Sequence, residues 1–158
     1  MRKVIFLLIT ILSFTNILWA ADPIIGTWKR NFEESTQYER GDIKDVIGVY
    51  KETEDNMIEA TYTSIRRDGS TGGVIKKIFP KEGGVVKYID VKIPEGTIHV
   101  AIFVGSGDWY ISTILKNGRQ WSLRHIMVSK DGKTLTETIK DINREGKPVE
   151  RIMVSDRQ

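Results

Sequence analysis

The sequence predicts an all-β protein: an antiparallel up-and-down meander closed into a barrel of about eight to ten strands. Three observations lead there. Runs rich in Val, Ile, Thr, Tyr and Phe recur from Ile24 to the C-terminus. Turn chemistry stands between them, as in Asp55-Asn56, Asp68-Gly69, Gly83-Gly84, Asn117-Gly118, Asp131-Gly132 and Glu145-Gly146. After the first, each connection spans only about two to six residues, too few for the crossover a parallel pair requires.

The elements follow in order. Residues 1–20 read as an export signal: Arg2 and Lys3, an apolar run from Val4 to Leu18, then small residues with a cleavage site after Ala20. That run is shorter than the ~20 residues of a membrane-spanning helix. Residues 21–158 then form one barrel domain. A first extended segment, Ile24 to Phe32, holds Gly26 and Trp28. The polar stretch Glu33 to Lys44 has room for at most one short helix, with Asn31 as its cap. Strands are then expected near 45–54, 57–67, 73–79, 85–93, 97–104, 109–116, 119–129, 133–142 and 148–155. A flat sheet of that many strands would leave two long edges and accumulate twist, and closure removes both problems. The alternative that uses the same alternation is a two-sheet β-sandwich.

Composition narrows the function. The formal net charge is +3, and Arg2 and Lys3 contribute to it from the discarded segment. The remaining charge gives no footprint for nucleic acid or for an anionic membrane. The 0 cysteines exclude a thiol nucleophile, a thiolate metal site and a lipidated N-terminal Cys. Export to a bacterial periplasm or to the medium suits these facts.

Motifs for chemistry are missing. No nucleophile elbow, His-Glu-x-x-His or phosphate-binding loop occurs, and the two Gly-Gly pairs read as turns. The histidines, His99 and His125, lie on separate strands, so no metal site or cofactor is expected, and no enzymatic activity. Ile98, Val100, Ile102 and Val104 alternate with His99, Ala101 and Phe103, while Trp121, Leu123, His125 and Met127 oppose Gln120, Ser122 and Arg124. Taking the apolar set as the inner one puts His99 outside and Trp121, Leu123, His125 and Met127 in the lumen. With Ile102 or Phe103 they would line a cavity for a small hydrophobic molecule, and Tyr62 and Tyr88 would orient its polar end. Carboxylates mostly fall in turns. Glu59 and Glu137 are the exceptions, on strands of two similar segments, Ile58 to Gly69 and Leu135 to Gly146, with ambiguous facing.

Gly26-Thr27-Trp28, close to the expected mature N-terminus, resembles the Gly-x-Trp signature of the lipocalins and related calycin barrels. The opening Gly26-Thr27-Trp28-Lys29-Arg30-Asn31, with Ser129 to Thr136 and Gly146 to Val149, is similar to small exported bacterial lipocalin-like proteins. The resemblance implies that Trp28 closes one barrel end beneath a basic side chain from a late strand, Arg151 or Arg157. It also implies a carrier of a hydrophobic ligand. The Thr-Asp-Tyr element and the C-terminal helix of typical lipocalins are missing, and an intracellular fatty-acid-binding barrel would need two helices where Glu33 to Lys44 stands. The competing function is a solidly packed barrel that binds a protein partner through its surface; an enzyme comes third.

Overall fold

A computed structural model describes residues 21–36, 41–143 and 145–158. The expected export signal, residues 1–20, lies outside the described residues, as do 37–40 of the polar stretch. Eleven strands follow in chain order. They are β1 (Gly26–Asn31), β2 (Ile43–Glu52), β3 (Met57–Arg66), β4 (Thr71–Pro80), β5 (Gly84–Val85) and β6 (Lys87–Ile89), then β7 (Ile98–Gly105), β8 (Asp108–Ile114), β9 (Gln120–Val128), β10 (Thr134–Ile142) and β11 (Pro148–Arg157). All pairings are antiparallel.

The strands form one sheet in the order β5-β7-β8-β9-β10-β11-β1-β2-β3-β4-β6. Its two ends belong to the same piece of chain, because only Val86 separates β5 from β6. This piece first pairs with β7, through Gly84↔Ala101 and Val85↔Val100, and then with β4, through Lys77↔Tyr88. The meander therefore bends round into a nearly closed barrel, and a sandwich of two sheets is excluded. The strand expected at 85–93 is split and short. It ends at Ile89 because Asp90 takes a positive φ of 57°, a conformation that ends strand pairing. Register shifts near the ends of β2, β3, β7 and β8 add the coiling that closure needs.

No helix occurs among the described residues. Asn31 does act as a cap-like residue, its Oδ1 accepting from the N–H groups of Glu33 and Glu34 at 3.1 and 3.2 Å, but what it starts is a turn. Ser35 and Thr36 then lie along β11, each exchanging bonds with its backbone at Val154 and Ile152.

The apolar core fills one end of the barrel. Ile24, Trp28, Tyr50, Ile58, Phe79 and Trp109 are buried there with Ile126 and Leu135. The Phe79 and Trp109 rings meet edge to face at 5.4 Å, a geometry that favours aromatic pairs. Chain entry seals this end. The buried Asp22 carboxylate accepts from the N–H of Ile24 at 2.9 Å and of Gly107 at 3.2 Å, tying the segment before β1 to the β7–β8 turn. The indole N–H of Trp28 donates to Ile24 O at 2.8 Å.

Arg157 is the base over Trp28, its guanidinium carbon 4.2 Å from the ring centroid. It sits opposite Trp28 in the β1–β11 register. Its N–H groups donate to Gly132 O at 2.5 Å, to Ile25 O at 2.9 Å and to Pro23 O. Gly26 makes room for it: a Cβ there would stand 2.5 Å from Arg157 Nη1, and φ is +144°. The Gly of the Gly-x-Trp pattern thus follows from close approach and backbone geometry together. Arg151, the other candidate for this position, is corrected by simple length. It shares the inner face of β11 with Arg157 but lies six residues earlier, roughly 20 Å up the strand. Its guanidinium pairs there with Asp141.

Candidate functional site

Above the core the barrel opens into a cavity of about 530 Å³. Tyr62, Ile75, Tyr88, Ile139 and Met153 supply its apolar wall, and Arg30, Lys77, Arg124, Glu137 and Arg151 its charges. The positions follow from strand alternation. On β4, Ile75, Lys77 and Phe79 point inward, Lys77 opposite Ala60 of β3 and Tyr88 of β6. Arg124 of β9 and Ile139 of β10 are partners, as are Ile126 and Glu137.

The expected lining is only partly the observed one. Tyr62 and Tyr88 line the cavity. Trp121, Leu123, His125 and Met127 occupy the outer face of β9, because Arg124 and the fully buried Ile126 take the inner one. Trp121 is 36% and Met127 46% exposed, and Ile102, on the outer face of β7, is 49% exposed. Phe103 stays on the inner side at the strand end, half exposed, with its ring 4.9 Å from Trp109. His125 stacks on the Tyr110 ring at 4.3 Å, and its Nε2 lies 2.7 Å from Asp108 Oδ1. His99, expected outside, is inside, its Nδ1 3.0 Å from Thr113 Oγ1 and its ring 4.8 Å from Tyr88. The two histidines therefore face opposite sides of the sheet and share no metal.

The face was misassigned for a physical reason. The inner surface of the open half carries charges and small residues that leave space, so counting apolar side chains selects the outer face. Charges that interrupt an inner apolar series are the better signal. Lys77 falls between Ile75 and Phe79, and Glu137 between Leu135 and Ile139. Glu137 faces in and is 1% exposed, whereas Glu59 faces out to Lys76 at 2.8 Å.

Electrostatically the cavity is dominated by cations. Glu137 Oε2 accepts from Arg124 Nη1 at 2.8 Å, and its Oε1 lies 3.6 Å from Arg30 Nη2. Burial opposes the charge on Arg124, but Glu137 together with Tyr62, Tyr88 and Tyr50 holds the guanidinium above its ordinary value. The buried Nε atoms of Arg30 and Arg151 find no acceptor among the described residues. Tyr50 and Tyr62 share a hydroxyl–hydroxyl hydrogen bond, and burial pushes both phenols well above their usual range. Burial and then the Lys77 and Arg124 charges hold His99 below its usual value.

Lys77 is 2% exposed, and its Nζ stands 5.0 Å over the Tyr62 ring. Burial, then the neighbouring Arg124, brings its pKa down to about 7, with Glu137 pulling the other way. An unfolded-chain lysine titrates near ~10.4. Between those values the unfolded chain binds a proton that the folded one lacks, so stability is expected to rise from pH 7 towards pH 10. Above about pH 10 the trend reverses, because Tyr50 and Tyr62 keep protons that the unfolded chain releases. Urea unfolding of the parent and of Lys77→Met across pH 7 to 9.5 checks this. The rise is expected in the parent and flattened in the variant; parallel profiles would refute it.

No protein-family model matches the chain, and no curated protein matches it either. Solved structures do. A point mutant of the fluorescent protein UnaG aligns with a TM-score of 0.56 at 12% identity, over 86% of this chain and 96% of that one. Wild-type UnaG aligns with a TM-score of 0.54 at 12% identity, over 86% and 98%. At that identity the likeness is one of fold alone, an antiparallel β-barrel.

Proposed function

We propose that this chain is an exported, lipocalin-like carrier that holds a small, largely apolar molecule in the open half of its barrel. The observation that carries the reading is the cavity of about 530 Å³, within the size range of sites for small organic ligands. Its charges are Arg30, Lys77, Arg124 and Arg151, against the buried Glu137 and the neighbouring Asp141. That balance suits a ligand whose polar end presents an acceptor oxygen, a carboxylate or a carbonyl. The cations of the wall are donors for such an oxygen. Export rests on the basic start, the short apolar run and the small residues before Ala21.

The test starts from natively produced protein recovered outside the cytoplasm, where N-terminal sequencing is expected to give Ala21. Solvent extraction and mass spectrometry should then release a co-purifying amphipathic molecule. Titration with dodecanoate, followed by displacement of anilinonaphthalene sulfonate, is expected to saturate. Gly73→Phe is the control, since Gly73 lines the mouth and an added Cβ meets nothing closer than Ser64 Oγ at 3.6 Å. Its ring should block the cavity and abolish saturation. No extract, no saturation and an unchanged Gly73→Phe variant would overturn the carrier reading. The surface reading would then stand, because Ile98, Ile102, Val104, Trp121 and Met127 expose apolar area on β7 and β9.

A further inference from the structure

The Lys77 amine stands out among the cations of the cavity because nothing pairs with it among the described residues. Arg30 and Arg124 share Glu137, and Arg151 has Asp141. On the same strand Lys76 pairs with Glu59 at 2.8 Å, and just beyond it Lys81 pairs with Glu52 at 2.7 Å. Among the described residues none accepts a hydrogen bond from Lys77 Nζ or forms an ion pair with it; its contact is the Tyr62 ring. A lysine kept for structure in a buried position is normally given a carboxylate, since an unpaired buried charge is costly. A lysine kept to hold a ligand anion would need to stay charged. Lys77 does neither well. It is buried and unpartnered, and it forms part of the wall of a cavity large enough for an organic molecule. An amine so placed is a nucleophile.

We propose that Lys77 Nζ captures an apolar aldehyde in the cavity and holds it as an imine. This deepens the carrier reading, on which it rests, by naming the ligand class and the atom that retains it. The neutral amine adds its lone pair to the carbonyl carbon, and a proton passes from nitrogen to oxygen to give a carbinolamine. Its hydroxyl then leaves as water while the C=N bond forms. Amine and aldehyde become imine and water, with no oxidant or reductant. The charged and titratable groups around the amine are Arg30 from β1, Tyr62 from β3, Tyr88 from β6, His99 from β7, Arg124 from β9 and Glu137 from β10. With a pKa of about 7, half of the amine is neutral at neutral pH, whereas a surface lysine at ~10.4 is almost wholly protonated.

The experiment incubates the mature chain with decanal at pH 7.5, traps the imine with cyanoborohydride and maps modified lysines by peptide mass spectrometry. Lys77 is expected to be modified at least roughly tenfold faster than Lys76 or any other lysine. Its rate should level off near pH 8, while those of the surface lysines keep rising. Lys76→Met, on the outer face of the same strand, should keep the fast modification, and Lys77→Met should lose it. Site mapping in the parent decides the question even if that variant does not fold. Modification spread evenly over the lysines, with decan-1-ol still bound saturably, would overturn the imine and leave the carrier reading in place. Failure of decanal, decan-1-ol and dodecanoate alike to bind would overturn both.

Discussion

Trp28→Ala is expected to cost the fold about 3–5 kcal/mol, the range for deleting a large buried aromatic. The ring is fully packed in the core, its indole N–H is bonded to Ile24 O, and Arg157 lies 4.2 Å above it. Removing it leaves a void at the sealed end and strips the Arg157 guanidinium of the surface on which it rests. Trp28→Phe separates the contributions. It keeps an aromatic face beneath the cation and loses the indole donor, so about 0.5–1.5 kcal/mol should go with that hydrogen bond, and some packing besides. Denaturant unfolding with an unchanged slope measures both. A loss below about 1 kcal/mol for Trp28→Ala would mean that the end is sealed by Asp22 and Arg157 alone.

That end of the barrel is also where the sequence is most legible. Gly26, Trp28 and a late arginine are local features: a backbone position, a large ring and a cation, each tied to its neighbours by contact. Turn chemistry at the joints made the meander readable for the same reason, because positive φ at a hairpin is a property of one or two residues. The choice between Arg151 and Arg157 needed the β1–β11 register, which depends on residues more than a hundred positions apart. Closure through Gly84 to Ile89 was equally hidden. The run Val85-Val86-Lys87-Tyr88-Ile89 looks like one strand, and only the three-dimensional path shows its first part on β7 and its second on β4.

The cavity was harder to read, for reasons that lie in what a cavity is. A packed core rewards apolar side chains, so Ile58, Phe79 and Leu135 are recognisable as interior. An open half rewards room and charge, so Ser64, Gly73, Lys77 and Arg124 line it while Ile102, Trp121 and Met127 turn to solvent. Alternation gives two faces without saying which is inner. On β9 the decisive residue is Ile126, the apolar member of the otherwise polar set Ser122, Arg124 and Ile126. The same set on β10, Leu135, Glu137 and Ile139, shows a charge held within an apolar face by partners on other strands.

Glu137→Gln is expected to destabilise the protein by about 3 kcal/mol, the lower end of what breaking a buried ion pair costs. Glu137 is 1% exposed and is the carboxylate shared by Arg124 and Arg30. Glutamine keeps the shape and one acceptor but leaves two guanidiniums facing each other beside Lys77. The lower end applies because Arg124 retains some contact with the open cavity, where solvent screens it. Three further measurements separate charge imbalance from lost packing. Dodecanoate should raise the melting temperature of the variant more than that of the parent, since a ligand anion takes the place of the lost carboxylate. The pKa of Lys77 should fall further, because Glu137 is the neighbour that raises it. Replacing Arg30 and Arg124 by Met and Glu137 by Leu together should cost less than Glu137→Gln alone, as an apolar set needs no partners. A loss under about 1 kcal/mol for Glu137→Gln, with no extra stabilisation by dodecanoate, would show that the cations in this wall do not depend on Glu137 for their charge balance.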